Sequence, residues 1–252
     1  MNAPVNLPIH RLSLDQHSEG ELHARFAEIA AADELASNAD HSTQIGGSLI
    51  EIEDARGQDA VLMAISSPVR LHVKGPLGHY AFAYNLAADA RIDGDVGNGA
   101  GEGLRGGSVR VRGNAGLGCG VAMRGGTLAI YGTAGDRLAA AMTGGEVFAR
   151  GNVGADAGVG ASNGTIVIGG DAGPRLGEPH SELIIFLRGS AQSLAPGMEE
   201  APLRKRDELR LGLLLINASI RGDAKEFRRV IPNAILQAER DRKHSEVNPS
   251  WR

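Results

Sequence analysis

The chain has 252 residues, 42% of them hydrophobic, and a formal net charge of −4, so it is long enough to bury a sizeable core. The acidic balance gives no electrostatic footprint for nucleic acid. A single cysteine, Cys119, excludes an intrachain disulfide and a CxxC-type metal or iron–sulfur site within this chain.

The N-terminal residues lack a basic region followed by an apolar run, and nowhere do about 18 apolar residues occur together. The sequence therefore predicts neither a signal peptide nor a membrane span. The single cysteine fits a reducing compartment. We expect a cytoplasmic protein.

The first predicted element is a helix from Ser18 to Ala36, with Ser18 as its N-cap. Its apolar residues at helical spacing are Leu22, Phe26, Ile29 and Ala30. Three strands are then expected to begin near Ser48, Ala60 and Val69, with a turn at ARGQD between the first two.

A glycine word of the form G-x-[AV]-G recurs every 19 residues along the middle of the chain. We interpret its glycines as structural turn residues. They are Gly94, Gly97, Gly113, Gly116, Gly132, Gly135, Gly151, Gly154, Gly170 and Gly173. Degenerate copies at Gly75 and Gly189 extend the series, and the small or apolar third residue of each word is expected to stack on its neighbours.

Two further features recur in each unit. A small residue follows the second glycine by four positions and indicates a turn or a tight backbone approach, at Gly101, Gly120, Ala139, Gly158 and Gly177. Later come short runs such as SVRVRG and TIVIGG, which alternate as strands do.

A unit of 19 residues is too short for a propeller blade and lacks the periodicity of helical repeats, but it suits one turn of a parallel β-helix. The left-handed hexapeptide β-helix needs a six-residue subperiod that is absent. The sequence thus predicts an all-β solenoid, a right-handed parallel β-helix with about 19 residues per turn and with N- and C-terminal helical caps. The expected boundaries are a helical cap at 1–47, the β-helix at 48–198, and a C-terminal helical segment with a docking tail at 199–252.

A glycine-rich loop can also hold a phosphate. A dinucleotide-binding fingerprint needs a strand, one glycine-rich turn and an amphipathic helix. Here each glycine word leads to another glycine pair and a strand, so the glycines are interpreted as structural and no cofactor-binding residue is predicted.

In the C-terminal flank, Pro196 to Glu200 is expected to break the repeat. A helix follows from Arg204, with Leu209, Leu213 and Ile216 on one face, and a second short helix is predicted from Ala224 to Val230. The polar last segment, 239–252, has no pattern that lets it fold alone, and its Trp251 favours docking on another chain over disorder.

Candidate catalytic residues are few. Cys119 lies within a glycine-rich unit where other units have Ala or Leu, which favours a buried core residue over a nucleophile. Asp136 and Asp156 are nearly one turn apart and could approach each other, but surface turns often carry such charges. The eight histidines show no metal-ligand spacing. We predict no catalytic and no metal-binding residue.

An aromatic cluster, His79, Tyr80, Phe82 and Tyr84, stands out in a chain with 4% aromatic residues. It either plugs the end of the column or forms an interface hot spot. Together with Trp251, these residues are the candidate interface.

The glycine words, IEIEDARGQDAVLMAISSPVRLHVKG before them, GDAGPRLGE near their end and GDAKEFRRV beyond resemble the GXGXG-motif β-helix family over roughly Ser48 to Val230. That family includes the C-terminal domain of the glutamate synthase large subunit, the small β-helix subunit of N-methylglutamate synthase-type enzymes, and the C subunit of formylmethanofuran dehydrogenase and its formyltransferase/hydrolase relatives. The strands before the repeat and the EFRR word favour the glutamate synthase-like branch, whereas the tail at 230–252 follows no recognised pattern.

The resemblance implies a non-catalytic scaffold without a cofactor on this chain. FMN and an iron–sulfur cluster are expected on partner subunits, namely a class II glutaminase and an FMN-binding glutamate synthase-like subunit. The β-helix would position them for ammonia transfer in a hetero-oligomer. The alternatives are the C subunit of a formyl-transferring hydrolase complex and a stand-alone structural or adhesive β-helix.

Overall fold

The computed structural model describes residues 8–40, 47–218 and 220–247. Most of these residues wind into a β-solenoid of about seven turns with roughly 19 residues per turn. The prediction of a right-handed parallel β-helix is confirmed. A right-handed connection between parallel strands is the one that the right-handed twist of the strands favours.

Within the described residues, eleven strands form one sheet in the order β1 to β9, then β11 and β10. They are β1 Ile9–Ser13, β2 Leu49–Glu53, β3 Arg70–Val73, β4 Asp89–Ile92, β5 Ser108–Val111, β6 Thr127–Ile130, β7 Glu146–Ala149, β8 Thr165–Ile168, β9 Ile184–Leu187, β10 Met198–Ala201 and β11 Arg228–Pro232. The helices are α1 Glu19–Asp40, α2 Lys205–Asn217 and α3 Asn233–Val247. Strands β1 to β9 are parallel, and β11 is antiparallel to both its neighbours.

The strands stack in strict register, so that Val73 pairs with Ile92, which pairs with Val111, and so on along the column. The third residues of the glycine words also stack, as predicted, through parallel bridges between successive turns. This second stack is Leu77, Val96, Ala115, Ala134, Val153, Ala172 and Ala191. Inward-facing side chains from all the turns merge into one continuous buried core.

The ten glycines of the repeat words lie where the backbones of successive turns come closest. None of them has a positive φ. A Cβ at Gly151 would lie 2.6 Å from the carbonyl oxygen of Gly132, and one at Gly94 would lie 2.6 Å from the backbone nitrogen of Pro76. Close approach between turns, rather than a left-handed turn conformation, therefore requires glycine at these positions.

The left-handed residues lie in a separate segment of each turn, which we call the arch, between the glycine words and the next strand. In the fifth arch Arg137, Ala139 and Ala141 have φ values of 59°, 55° and 54°. The N–H of Arg137 donates to Ala155 in the next turn at 2.8 Å, and that of Ala139 donates to Cys119 in the preceding turn at 2.9 Å. These hydrogen bonds offset a conformational cost of about 1–2 kcal/mol per non-glycine residue.

The strand predicted from about Ala60 is wrong. Ala60, Leu62 and Ala64 have positive φ values of 53°, 56° and 52°, so this segment is the first arch of the column. Its N–H groups at Ala60 and Ala64 donate to His79 and Ala83 of the next turn. An alternating apolar pattern does not distinguish an extended strand from a backbone that alternates between left- and right-handed residues.

The N-terminal cap matches its prediction closely. Helix α1 begins after Ser18, whose backbone N–H and hydroxyl donate to the Glu21 carboxylate at 2.7 and 2.8 Å. The side chains of Leu22, Phe26 and Ile29 are buried in the column core, so the helix closes this end of the column. Strand β1, which sequence analysis missed, adds one more parallel strand beside β2.

The C-terminal flank differs from its prediction. The segment after Pro196 forms β10, and the helix predicted from Ala224 to Val230 is only a 3-10 turn, Ala224–Glu226, followed by β11. The polar tail continues as helix α3 to Val247, while Trp251 lies outside the described residues. Pairing with β9 and β10 stabilises β11 as a strand, because it satisfies the exposed backbone edge of the column.

We predict that Gly151→Ala destabilises the protein by about 1–3 kcal/mol, because the new methyl group is forced against the backbone of the preceding turn. Gly212→Ala is the matched control. Its Cβ meets nothing within 4 Å in the middle of α2, and the substitution should stabilise the protein by about 0.5–1 kcal/mol. Urea unfolding measures both free energies, and an unchanged value for Gly151→Ala would contradict the close-approach argument.

Candidate functional site

The Cys119 thiol is buried inside the column. Its Sγ donates towards the carbonyl oxygens of Gly116 and Gly97 at 3.4 and 3.6 Å. Burial raises the pKa of the thiol to about 11, and hydrogen bonds from neighbouring backbone groups do not offset this. The interpretation of Cys119 as a core residue is confirmed.

Asp136 and Asp156 do not form a catalytic pair. Asp136 accepts a hydrogen bond from the Ala155 N–H at 2.8 Å, whereas Asp156 accepts two from the guanidinium of Arg175, each at 2.6 Å. The hydrogen bonds from Arg175 hold the pKa of Asp156 below its usual range. Each carboxylate thus links two successive turns.

No group of three or more His, Cys, Asp or Glu side chains that could hold a metal ion occurs within residues 8–40, 47–218 and 220–247. No helix in this part of the chain is long and apolar enough to cross a membrane.

The aromatic cluster is divided between the core and the surface. Phe82 is fully buried, so it offers no surface to a partner, and an earlier turn of the column precedes it, so it does not plug the end. Tyr80 and Tyr84 are about half exposed, at 48% and 44%. Their rings lie against Gly99 and Gly103 of the next turn, where a Cβ would approach them to 2.7 and 2.5 Å.

His79 belongs to a ladder of side-chain acceptors along one corner of the column. Its Nδ1 accepts the N–H of Asn98 at 2.8 Å, and the Asn98 side chain accepts the N–H of Leu117 in the following turn at 2.8 Å. A parallel ladder runs through Asp95 and Asn114. The imidazole therefore links turns, while the exposed faces of Tyr80 and Tyr84 remain open for contact.

Helix α2 covers only part of the outer sheet face. Its buried side, Leu211, Leu214 and Leu215, packs on an outward ladder of apolar side chains. That ladder is Ala129, Phe148, Val167 and Phe186. The remaining outward positions of the sheet, towards its N-terminal end, are left uncovered and carry charged residues.

The opposite side of α2 is apolar and exposed. Leu209, Leu213 and Ile216 share one face, as predicted, but it points away from the sheet, with exposed fractions of 70%, 57% and 73%. We call these three residues the α2 stripe. Exposed apolar groups collected on one helix face make this stripe a candidate contact surface.

The C-terminal end of α2 borders a groove of about 580 Å³ rich in arginine. Its lining residues, which define the arginine groove, are Arg91, Arg110, Arg112, Tyr131, Arg150 and Arg221. Sequence analysis missed this site. The signal is nevertheless present, because the residues at 91 and 110 are one repeat apart, and 112, 131 and 150 follow at the same spacing.

The groove is built on the strands and fastened to the helix. The Tyr131 hydroxyl donates to the Ala218 carbonyl at 2.5 Å, and Arg110 donates to Ser108 Oγ at 2.5 Å and to the Asn217 carbonyl at 3.4 Å. The Arg150 guanidinium lies 6.0 Å from the centre of the Tyr131 ring. Strands, ring and helix end together hold the positive charges on one surface.

A second charged cluster fastens α2 and α3 to the end of the column. Arg229, 3% exposed, forms ion pairs with Asp207 at 3.3 Å and Glu239 at 3.1 Å, and Arg204 pairs with the same two carboxylates. Burial raises the pKa of Asp207 and of Glu239, but hydrogen bonds from Arg204 and Arg229 respectively outweigh it and lower both values. Charges here are matched two against two, as a structural cluster requires.

Comparison of the chain with protein-family models, with curated proteins and with solved structures found no match.

We predict that Cys119 reacts with iodoacetamide at pH 8 only after unfolding. The native thiol is buried and its pKa is near 11, so alkylation should be about a hundredfold or more slower than in urea-denatured protein. Mass spectrometry of the alkylated chain measures both rates. Equal rates would show that the thiol is accessible.

We predict that acid removes the stabilisation that comes from the Asp207 and Glu239 cluster. Both folded-state pKa values are lowered, so the unfolded state binds protons more tightly, and this stabilisation is complete above about pH 5 and is lost as the pH falls through the lowered values. Asp207→Asn with Glu239→Gln should reduce stability at pH 7 by about 3–5 kcal/mol.

The measurement is the free energy of urea unfolding between pH 7 and pH 3. The double variant should lose less stability over this range than the wild type. Glu208→Gln, at a carboxylate that forms no ion pair with any described residue, is the control and should follow the wild-type curve. Parallel curves for the wild type and the double variant would contradict the assignment.

Proposed function

We propose that the chain is a non-catalytic structural subunit of a glutamate synthase-like, glutamine-dependent amidotransferase/oxidoreductase complex. It fixes a class II glutaminase subunit relative to an FMN-binding subunit, so that ammonia passes between them. The glycine-word resemblance supports the choice of complex. The α2 stripe is the observation that carries the scaffold role, because it is an apolar surface held on a rigid column.

Two properties of the column suit this role. Each turn is hydrogen-bonded to the turns before and after it along the strands and the arches, which makes the column stiff along its length. The α2 helix is anchored by its buried leucines and by the ion-pair cluster, so its exposed face has a fixed orientation relative to the column. A stiff body with an oriented docking face can hold two active sites at a constant distance.

The α2 stripe is assigned to contact with a partner subunit. Leu209, Leu213 and Ile216 are spaced as the anchors of a helix that packs into an apolar groove, one turn apart along the same face. Tyr80 and Tyr84 lie on the arch surface and provide a second exposed contact of amphipathic rings. The FMN and the iron–sulfur cluster belong to the partners.

The experiment is tagged purification of the chain from its native host at natural expression level. We expect a cysteine-headed glutaminase and a yellow FMN protein to co-purify in fixed ratio, identified by mass spectrometry and absorbance. The chain produced alone should be colourless and, by light scattering, monomeric. Stoichiometric FMN on the isolated chain, or co-purification with a formyltransferase instead, would overturn the proposal.

The docking face is tested by Leu209→Ser, Leu213→Ser and Ile216→Ser together. We expect at least about a tenfold loss of partner capture, since anchor residues dominate interface energy, with an unchanged melting temperature because the three side chains are exposed. Ile9→Ser with Leu35→Ser, at exposed positions of β1 and α1 near the N-terminal end of the column, is the control and should retain capture. Full capture by the triple variant would remove the α2 stripe from the interface.

A further inference from the structure

We infer that the arginine groove binds a small polyanion that carries two or more linked phosphate groups. This inference is independent of the scaffold proposal, because it concerns a different surface and can be tested on the isolated chain. It depends on the charges, the spacing and the local fastening of the groove residues.

The arginine groove has more positive than negative side chains. Asp93 is the only carboxylate in the described part of the chain that pairs with any of the five arginines, at 3.1 Å from Arg91 and 3.5 Å from Arg112. Asp93 also hydrogen-bonds His72 Nε2 at 2.6 Å. Neither Arg150 nor Arg221 forms a hydrogen bond or an ion pair through its guanidinium with a described residue. Asp93 is therefore the one paired carboxylate for five guanidinium groups among the described residues, while Asp89 accepts from Ser108 Oγ, the atom to which Arg110 donates.

Other charged surfaces of the same column match their positive charges with carboxylates. Towards the N-terminal end, the outward charges are mixed, since Glu51 accepts from both Arg11 and Lys74. At the C-terminal end, a cavity of about 590 Å³ borders the cluster in which Arg204 and Arg229 are matched by Asp207 and Glu239. Along β4 to β7 the outward arginines outnumber their carboxylate partners, since among the described residues Asp93 alone pairs with them, and such an excess of positive charge is the property of an anion site.

The arginines of the groove are distributed along the column axis. Arg91 and Arg112 come from adjacent turns and Arg150 from the turn two beyond, and turns lie about 4.8 Å apart, so their backbone positions span about 14 Å along the column. A single phosphate or carboxylate is too short to bridge this span. A linked diphosphate or triphosphate presents several anionic oxygens along its length, and the planar fork of arginine contacts such oxygens in pairs.

The side chains of the arginine groove are held in place before a ligand binds. Arg110 is held by Ser108 and the end of α2, and Arg150 is placed over the ring of Tyr131, itself fixed by its hydroxyl on Ala218. The groove volume of about 580 Å³ lies within the range of small-molecule sites. A ligand would therefore meet charges that are already in place, and would relieve their mutual repulsion.

The probes are inorganic tripolyphosphate, pyrophosphate, monophosphate and citrate, measured by calorimetry on the full chain in 0.15 M salt. We expect saturable binding of one tripolyphosphate or pyrophosphate per chain, with monophosphate at least about tenfold weaker. Citrate binding as tight as that of tripolyphosphate would overturn the phosphate assignment. A short single-stranded oligonucleotide that binds more tightly would assign the groove to a nucleic-acid backbone and overturn the small-molecule assignment.

The groove itself is tested by Arg112→Gln with Arg150→Gln. We expect at least about a tenfold loss of tripolyphosphate affinity, because charge-assisted hydrogen bonds are removed. The matched control is Arg105→Gln with Arg124→Gln, which removes the same charge from exposed arginines outside the groove and should change affinity less than about twofold. Equal losses in the two double variants, or no binding by the wild type, would overturn the inference.

Discussion

The short distance between successive turns of the column is the constraint on which the rest of the structure depends. Parallel strands lie about 4.8 Å apart, and at the corners of each turn the backbones approach so closely that a methyl group on Gly94, Gly113 or Gly151 would overlap the turn below. Glycine at these corners lets every strand keep its register. That register stacks like on like, so that valines and isoleucines fill the interior and charged or aromatic side chains form continuous ladders outside.

The same stacking leaves a strand with an unpaired backbone edge at each end of the column. The N- and C-terminal caps cover these two ends in different ways. At the N-terminal end α1 inserts Leu22, Phe26 and Ile29 into the core. At the C-terminal end β11 reverses direction and pairs with β9, and the buried guanidinium of Arg229 joins α2 and α3 to the last turns. A polar cluster has a directional geometry that apolar packing lacks, so it fixes the angle at which α2 leaves the column.

The repeat made the column predictable from sequence, because a period of 19 residues constrains every turn at once. Features that depend on tertiary contacts or on backbone conformation, rather than on the repeat, were not predictable from sequence. The arch at Ala60–Ala64 has the same apolar alternation as a strand, and only its left-handed φ values separate the two. Strand β11 depends on the edge of β9, which no local pattern reveals, and the exposure of Leu209 and Leu213 depends on which face of α2 meets the sheet. The arginine groove depends on arginines at the repeat spacing, Arg91 with Arg110 and Arg112 with Arg150, which the glycine and apolar periodicity alone does not reveal.

The position of α2 explains why an apolar stripe and a basic groove occur side by side. Its buried leucines need an apolar ladder, which begins at Ala129, and its carbonyl end therefore stops beside Tyr131 and Arg110. On the N-terminal side of Ala129, α2 does not cover the outward positions of the sheet, and guanidinium groups occupy them. One helix thus divides the sheet face into a covered apolar half, which carries the proposed subunit contact on its back, and an open cationic half. Arg110 and Tyr131 line the open half and donate to the carbonyls of Asn217 and Ala218 at the end of α2, so these two hydrogen bonds connect the groove to the helix.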